Sequence, residues 1–376
     1  MSENGTAARY ADLGLEAGTP EIESVGPIAF GPDGILFVAD NASASIFALG
    51  FGPAGPRPDS LAYDIEDLDD RLASRLGCSR EDVSIRDIAV CPLTGEVYMS
   101  VMRGNGSAAI PVIARVGADG VVVDVPLEGV PFARTAIEDA PDLGDERIDV
   151  QVLPDDSAAG EQIETGSGVT LRIAREGLRT VTVTDLDYVD GALLVAGASN
   201  EEFSSTLRRI PFPFNGAAQS NSLEIFHVSH GKYETASPIR TFVPYDGDGS
   251  ILASYTCTPI VHFSLDEMEP ATHVMGSTVA ELGSMNSPTD MVAYRRDGEE
   301  YLLVATARLP LVRIACADID GQEALTEPDE PVGVPREELD HADVVRMTNL
   351  DDGSVVMLQQ NGAGAVSLRS YECAAL

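Results

Sequence analysis

Four aspartates, Asp87, Asp185, Asp290 and Asp343, each stand directly before an apolar run: IAV, LDYV, MVAY and VVRM. Carboxylates gathered at one point repel each other unless something offsets the charge. A ring of oxygen ligands suits Ca²⁺ or Mg²⁺, and His341, two residues ahead of Asp343, also admits Zn²⁺. The same aspartates can instead accept hydrogen bonds from free backbone N–H groups of a neighbouring element, so ligand and structural roles both stay open.

A second group of polar residues follows later apolar runs. Arg103, Asn200, Glu201, Tyr255 and Arg308 fall in loop positions, where binding residues commonly sit. Arg103 and Arg308 can orient an anionic substrate or pair with the aspartates. In a metal-assisted site, His341 or an unligated aspartate would be the general base. Asn200, Glu201 and Tyr255 would then contact the substrate.

His227 and His230 are three residues apart. From a turn such a pair can chelate a metal, whereas from an extended strand the rings point apart. Tyr255 and Cys257 are two apart, which on a strand places them on one side. With the histidine pair they would make a copper redox centre, because a phenol and a thiol can share one-electron oxidation. A packed aromatic beside a buried thiol is the structural alternative. No GxSxG, HExxH, Walker or GxGxxG motif stands in a credible context.

These residues must be positioned by a repeat. Six times a short apolar run leads into a tight turn and out into a second apolar run: 27–40, 87–101, 185–197, 241–255, 290–306 and 343–359. Five of the turns contain Asp-Gly, a strong hairpin signal because a type I′ turn needs positive φ at both central residues. Turn glycines recur 61, 96, 58, 49 and 55 residues apart, the spacing of β-propeller blades. The expectation is all-β: one propeller domain over 1–376 with six four-stranded blades, seven being the alternative. Residues 1–22 form an N-terminal extension or a closing strand. A short helix is expected over 64–77 with Asp64 as N-cap, and a long irregular insertion over 131–180 can hold a seventh blade.

Composition narrows the partners. With 24 basic and 61 acidic side chains the formal charge is 24 − 61 = −37, which repels nucleic acid and anionic membranes. Five dispersed cysteines without CxxC spacing read as reduced thiols. No apolar run is long enough to span a bilayer, so the chain reads as soluble: cytoplasmic as written, or periplasmic or secreted if a signal segment has been removed. Oligomeric state is not legible.

The copies PIAFGPDGILFVAD and DLDYVDGALLVAG resemble the inner strand pairs of NHL-type and SMP-30 (gluconolactonase)-like propellers. The resemblance implies six blades and a divalent cation on the axis, held at the starts of inner strands. The matching positions are Asp87, Asp185, Asp290 and Asp343. The resulting expectation is a metal-dependent enzyme, a hydrolase or lactonase, acting on a small polar substrate in the funnel. A copper redox enzyme and a non-catalytic binding propeller are the alternatives.

Overall fold

Each repeat copy folds into an antiparallel pair. The pairs are Ile28–Phe30 with Ile35–Asp40, Val83–Val90 with Val97–Arg103, and Asp185–Val189 with Ala192–Ala198. The remaining three are Ile239–Tyr245 with Ser250–Tyr255, Pro288–Arg296 with Glu299–Thr306, and Val344–Asp351 with Ser354–Gln360. They are the first and second strands of six sheets, here blades 1 to 6 in chain order. The computed structural model describes residues 3–52, 55–153, 160–164, 170–256, 259–283, 286–328 and 333–376.

Second strands such as Ile35–Asp40 and Ala192–Ala198 are buried along their whole length. They lie between neighbouring sheets on both faces, so they read as unbroken apolar runs instead of alternating ones. Three of the Asp-Gly turns have a pair of left-handed residues: Asp33 and Gly34 at φ 60° and 72°, Asp190 and Gly191 at 44° and 78°, Asp297 and Gly298 at 55° and 88°. Asp352-Gly353 turns differently, with the Asp351 side chain accepting the Gly353 N–H at 2.9 Å. A side-chain turn of this kind needs no left-handed pair.

The first strands touch in a closed ring, and the fold is a β-propeller. Around that ring the blades run 3-4-5-6-2-1, so blades 1 and 2 have changed places relative to chain order. Six apolar clusters fill the gaps between ring neighbours. Phe37 and Leu193 meet between blades 1 and 3, Phe47 and Tyr98 between 1 and 2, and Met99 and Leu358 between 2 and 6. Leu303 and Met357 meet between blades 5 and 6, Leu252 and Leu302 between 4 and 5, and Leu194 and Phe263 between 3 and 4.

The exchange follows from two outer strands. After the third strand of blade 1, Ser45–Gly50, the chain crosses to blade 6 and adds Asp64–Ile65 at its edge. It then builds blade 2 between blades 6 and 1, and returns to blade 1 as Val130–Ala136. Asp64 is therefore a strand residue paired with Arg369 and not a helix cap. The helix is shorter than expected, Leu68–Leu76, with Leu68 and Leu72 buried and Gly77 closing it in the left-handed region.

The N-terminal extension holds a helix, Glu3–Asp12, and a strand, Glu16–Gly18, that adds to the outer edge of blade 1. The long insertion forms a separate three-stranded sheet, Ile148–Leu153, Thr170–Gly177 and Glu161–Glu164, none of whose strands joins the ring. It is a satellite to the ring and not a seventh blade. Among the described residues no helix is long and apolar enough to cross a membrane.

Candidate functional site: an axial funnel beneath the satellite sheet

The starts of the first strands and several loops that follow second strands open on one cavity of about 1010 Å³. Asp87, Asp185, Thr241, Asp290 and Arg346 line its depth, and Asn41, Arg308 and the 360–364 loop line its mouth. Gln151, Val152, Leu153 and Glu176 of the satellite sheet lie along the same cavity. The sheet is held there by Arg240, whose Nη2 donates to both oxygens of Asp149 at 2.6 and 2.7 Å, with side-chain exposures of 9% and 5%. A further anchor is Arg179, which donates to the carbonyls of Asn41, Ala42 and Pro141.

Deep in the funnel three aspartates share one geometry. Oδ1 of Asp87, Asp185 and Asp290 each accepts the N–H of its own next residue, Ile88, Leu186 and Met291, at 2.8 Å. Oδ2 accepts an N–H from the next blade: Ile28 at 2.8 Å, Phe242 at 2.8 Å and Met347 at 2.6 Å. All three clips run the same way around the ring, from blade 2 to 1, 3 to 4 and 5 to 6. They alternate with Thr241, Arg346 and Pro27, which occupy the equivalent positions of blades 4, 6 and 1.

That register moves one predicted residue. Asp343 lines the funnel, but a bulge between Val344 and Arg346 puts Arg346 in the ring position. Arg346 donates from Nε to the Arg86 carbonyl at 2.9 Å and from Nη1 to the Thr289 and Val345 carbonyls, each at 2.8 Å. It also stands 3.8 Å from Asp87 Oδ1. Blades 2, 5 and 6 are thereby joined at one guanidinium.

Burial sets the protonation of the ring. It pushes Asp87 up to about 6 and Asp290 to about 7, with Arg346 pulling both back. Asp185 rises well above the carboxylate range, first by burial and then by the charges of Asp290 and Asp87. The three carboxyls therefore sense one another across the axis. Their fit to the divalent cation implied by the resemblance is poor. Both oxygens of each carboxyl are engaged by amides, and a guanidinium stands beside Asp87. Among the described residues the metal-type cluster, with ligand atoms within 4.8 Å of each other, is elsewhere, at His227, His230 and Glu234.

The other predicted residues scatter. Arg308 lines the mouth, whereas Arg103, Asn200, Glu201 and His341 are not part of the cavity wall. Asn200 donates its N–H to the Asp139 carbonyl, and the Glu201 carbonyl accepts from Arg147, so both serve the loop that leads into the satellite sheet. His341 packs edge-on against Tyr371 at 4.6 Å, and burial lowers its pKa. Tyr255 is 1% exposed in the apolar seam between blades 3 and 4, where burial drives its phenol strongly upward. Cys257 lies outside the described residues.

Three arginines of the funnel were not singled out in the sequence: Arg86, Arg240 and Arg346. A signal existed, since each lies beside or in the ring position: Arg86 before Asp87, Arg240 before Thr241, and Arg346 at the position itself. Arg86 differs from the other two. Its side chain is exposed into the cavity and makes no hydrogen bond or ion pair with the described residues.

No family model matches this chain, and no curated protein matches its sequence. Solved structures are similar in fold. The extracellular domain of a putative hybrid two-component system from B. thetaiotaomicron aligns with 95% of this chain at 11% identity and a TM-score of 0.39. This chain spans only 40% of that one. Virginiamycin B lyase from Staphylococcus aureus aligns over 95% of this chain and 99% of its own, at 11% identity and a TM-score of 0.36. The PQQ-bound aldose sugar dehydrogenase from Streptomyces coelicolor covers 95% and 98%, at 12% identity and a TM-score of 0.35.

Proposed function

We propose that the funnel takes up a small, polar, anionic molecule and that the protein is an enzyme hydrolysing it by acid–base chemistry. The observation that carries this reading is Arg86, a guanidinium on the cavity wall without a partner among the described residues, in a protein with a net charge of −37. A free arginine is an efficient reader of carboxylate or phosphate groups, because its fork of N–H donors matches their oxygens. Arg346 stands next to it and still has Nη2 to offer, with its other donors fixed to carbonyls. Arg86 and Arg346 supply the attraction for an anion in a cavity lined also by Asp87, Asp185, Asp290, Asp343 and Glu176.

Below it, Asp87 and Asp290 titrate near neutrality, at about 6 and about 7. Carboxyls in that range are suited to moving protons at physiological pH. One, ionised, takes the proton of an attacking water, and the other, protonated, returns a proton to the leaving oxygen. The arginines hold the substrate and the developing oxyanion. No metal enters this scheme, since the ring does not fit one.

Calorimetric titration with inorganic phosphate and a panel of small dicarboxylates tests the binding half. Saturable binding that falls at least about tenfold in Arg86→Ala, with an unchanged melting temperature, is expected. Equal binding by wild type and variant would overturn the reading. Release of acid from a panel of lactones and esters tests the chemical half, with loss of turnover expected in Asp290→Asn. Binding without turnover on any of them would leave a ligand-binding propeller.

A further inference from the structure

We propose that His227, His230 and Glu234 form a zinc-type metal site on the outer edge of blade 3, outside the funnel. All three come from one hairpin. His227 ends the strand Gln219–His227, a single 3₁₀ turn covers Val228–His230, and Gly231 reverses the chain at φ 61°. A Cβ at residue 231 would also meet Pro328 at 3.1 Å, so glycine is needed there on two counts. The return strand, Lys232–Glu234, sets Lys232 opposite His227 and Glu234 opposite Ile225. Ile225 and His227 share a face of their strand, so Glu234 presents its carboxylate to His227.

The donor atoms converge. His227 Nδ1 lies 2.9 Å from Glu234 Oε2, His230 Nδ1 lies 2.7 Å from Oε1, and the two rings are 4.0 Å apart between centroids. The turn removes the difficulty an extended strand would pose, which is why a pair three residues apart can face one point. His227 is 2% exposed, and its Nε2 is buried without a partner among the described residues. Among them Glu234 is the side chain that hydrogen-bonds this imidazole, although a buried polar ring normally has both nitrogens satisfied.

Two imidazoles and one carboxylate, with the fourth position open to solvent past the 44% exposed His230, match zinc and its neighbours and not the all-oxygen preference of calcium or magnesium. Metal–ligand bonds of about 2.0–2.2 Å require the carboxylate to withdraw by roughly half an ångström from its present contacts. Lys232 Nζ stands 3.1 Å from Glu234 Oε1 but is 62% exposed on a flexible stem, so it can turn out to water as the ion enters. The bound ion would pin the hairpin to the edge of blade 3.

The test is a zinc titration of the chelator-stripped full chain, with millimolar magnesium present to occupy the many surface carboxylates. About one equivalent is expected, and cobalt substitution should give the visible absorption of a low-symmetry nitrogen–oxygen site. His230→Ala and Glu234→Gln should each weaken binding at least tenfold. Zinc at about 100-fold its dissociation constant should raise the wild-type melting temperature by about 3 °C and leave both variants unmoved. Absence of saturable zinc binding, or undiminished binding in both folded variants, would overturn the proposal. His227→Gln adds a third check, with folding verified by circular dichroism.

Discussion

In the axial ring, Asp87, Asp185 and Asp290 turn every carboxylate oxygen towards a backbone amide. In the blade 3 hairpin, Glu234 turns both oxygens towards the ring nitrogens of other side chains. Three acids around an axis look like a metal centre from residue types alone, and a histidine pair near a strand end looks unpromising. What the donor atoms touch reverses that ranking. A carboxylate engaged by amides of two blades serves as a clip, and its burial raises its pKa; a carboxylate between two imidazoles stands where all three groups can turn their lone pairs to one cation.

The comparison breaks first at the clips. Asp185→Ala removes the partners of Leu186 N–H and Phe242 N–H together, and an unsatisfied buried amide costs about 1–3 kcal/mol. A loss of about 2–5 kcal/mol in denaturant unfolding is expected. A neutral outcome would mean that the ring does not hold blades 3 and 4. Arg86→Ala should behave in the opposite manner, weakening anion binding at least about tenfold while shifting stability by no more than about 0.5 kcal/mol, as for an exposed side chain without partners among the described residues.

Stability against pH sharpens the contrast further. Asp87 and Asp290 have folded pKa values of about 6 and about 7, raised by burial above the ordinary aspartate value of 3.8. A group raised on folding contributes its full stability below its unfolded pKa and loses it as pH rises through the folded one. The ring should therefore weaken the fold between about pH 4 and pH 7, with no further change from these groups above that. Asp290→Asn should flatten this slope relative to wild type in parallel denaturations, and the same comparison removes the general repulsion of an acidic chain. Identical slopes would show that Asp290 titrates normally. Glu234 has its pKa lowered to about 2, so its contribution is present above the usual glutamate range and is lost as pH falls through about 2. The smallest expected effect is at Gly231→Ala, about 1 kcal/mol of local destabilisation from the left-handed φ, read as faster amide exchange in the hairpin alone.

Much of the architecture was legible in the chain, because a blade is a local object. Turn residues and apolar runs mark the hairpins, and the position before each run marks the axis. That register was read correctly at Asp87, Asp185, Thr241 and Asp290, and missed in blade 6, where Asp343 also precedes an apolar run three residues ahead of Arg346. Apolar patterning alone does not separate the two registers, and the bulge before Arg346 recurs before Asp87, Thr241 and Asp290. The 3-4-5-6-2-1 order was not legible either, since it depends on which exposed edge Asp64–Ile65 and Val130–Ala136 join. The role of the 131–180 insertion at the funnel rests on the pairing of Arg240 with Asp149, 91 residues apart. Spacing along the chain carries no trace of such a contact.

Zinc content under matched conditions tests the central contrast most directly, using wild type, Asp290→Asn and Glu234→Gln purified and loaded side by side. About one equivalent in wild type and in Asp290→Asn, with little or none in Glu234→Gln, is the result expected if the ring clips blades and the hairpin holds the metal. Loss of zinc in Asp290→Asn with retention in Glu234→Gln would contradict the account and return the metal to the axis.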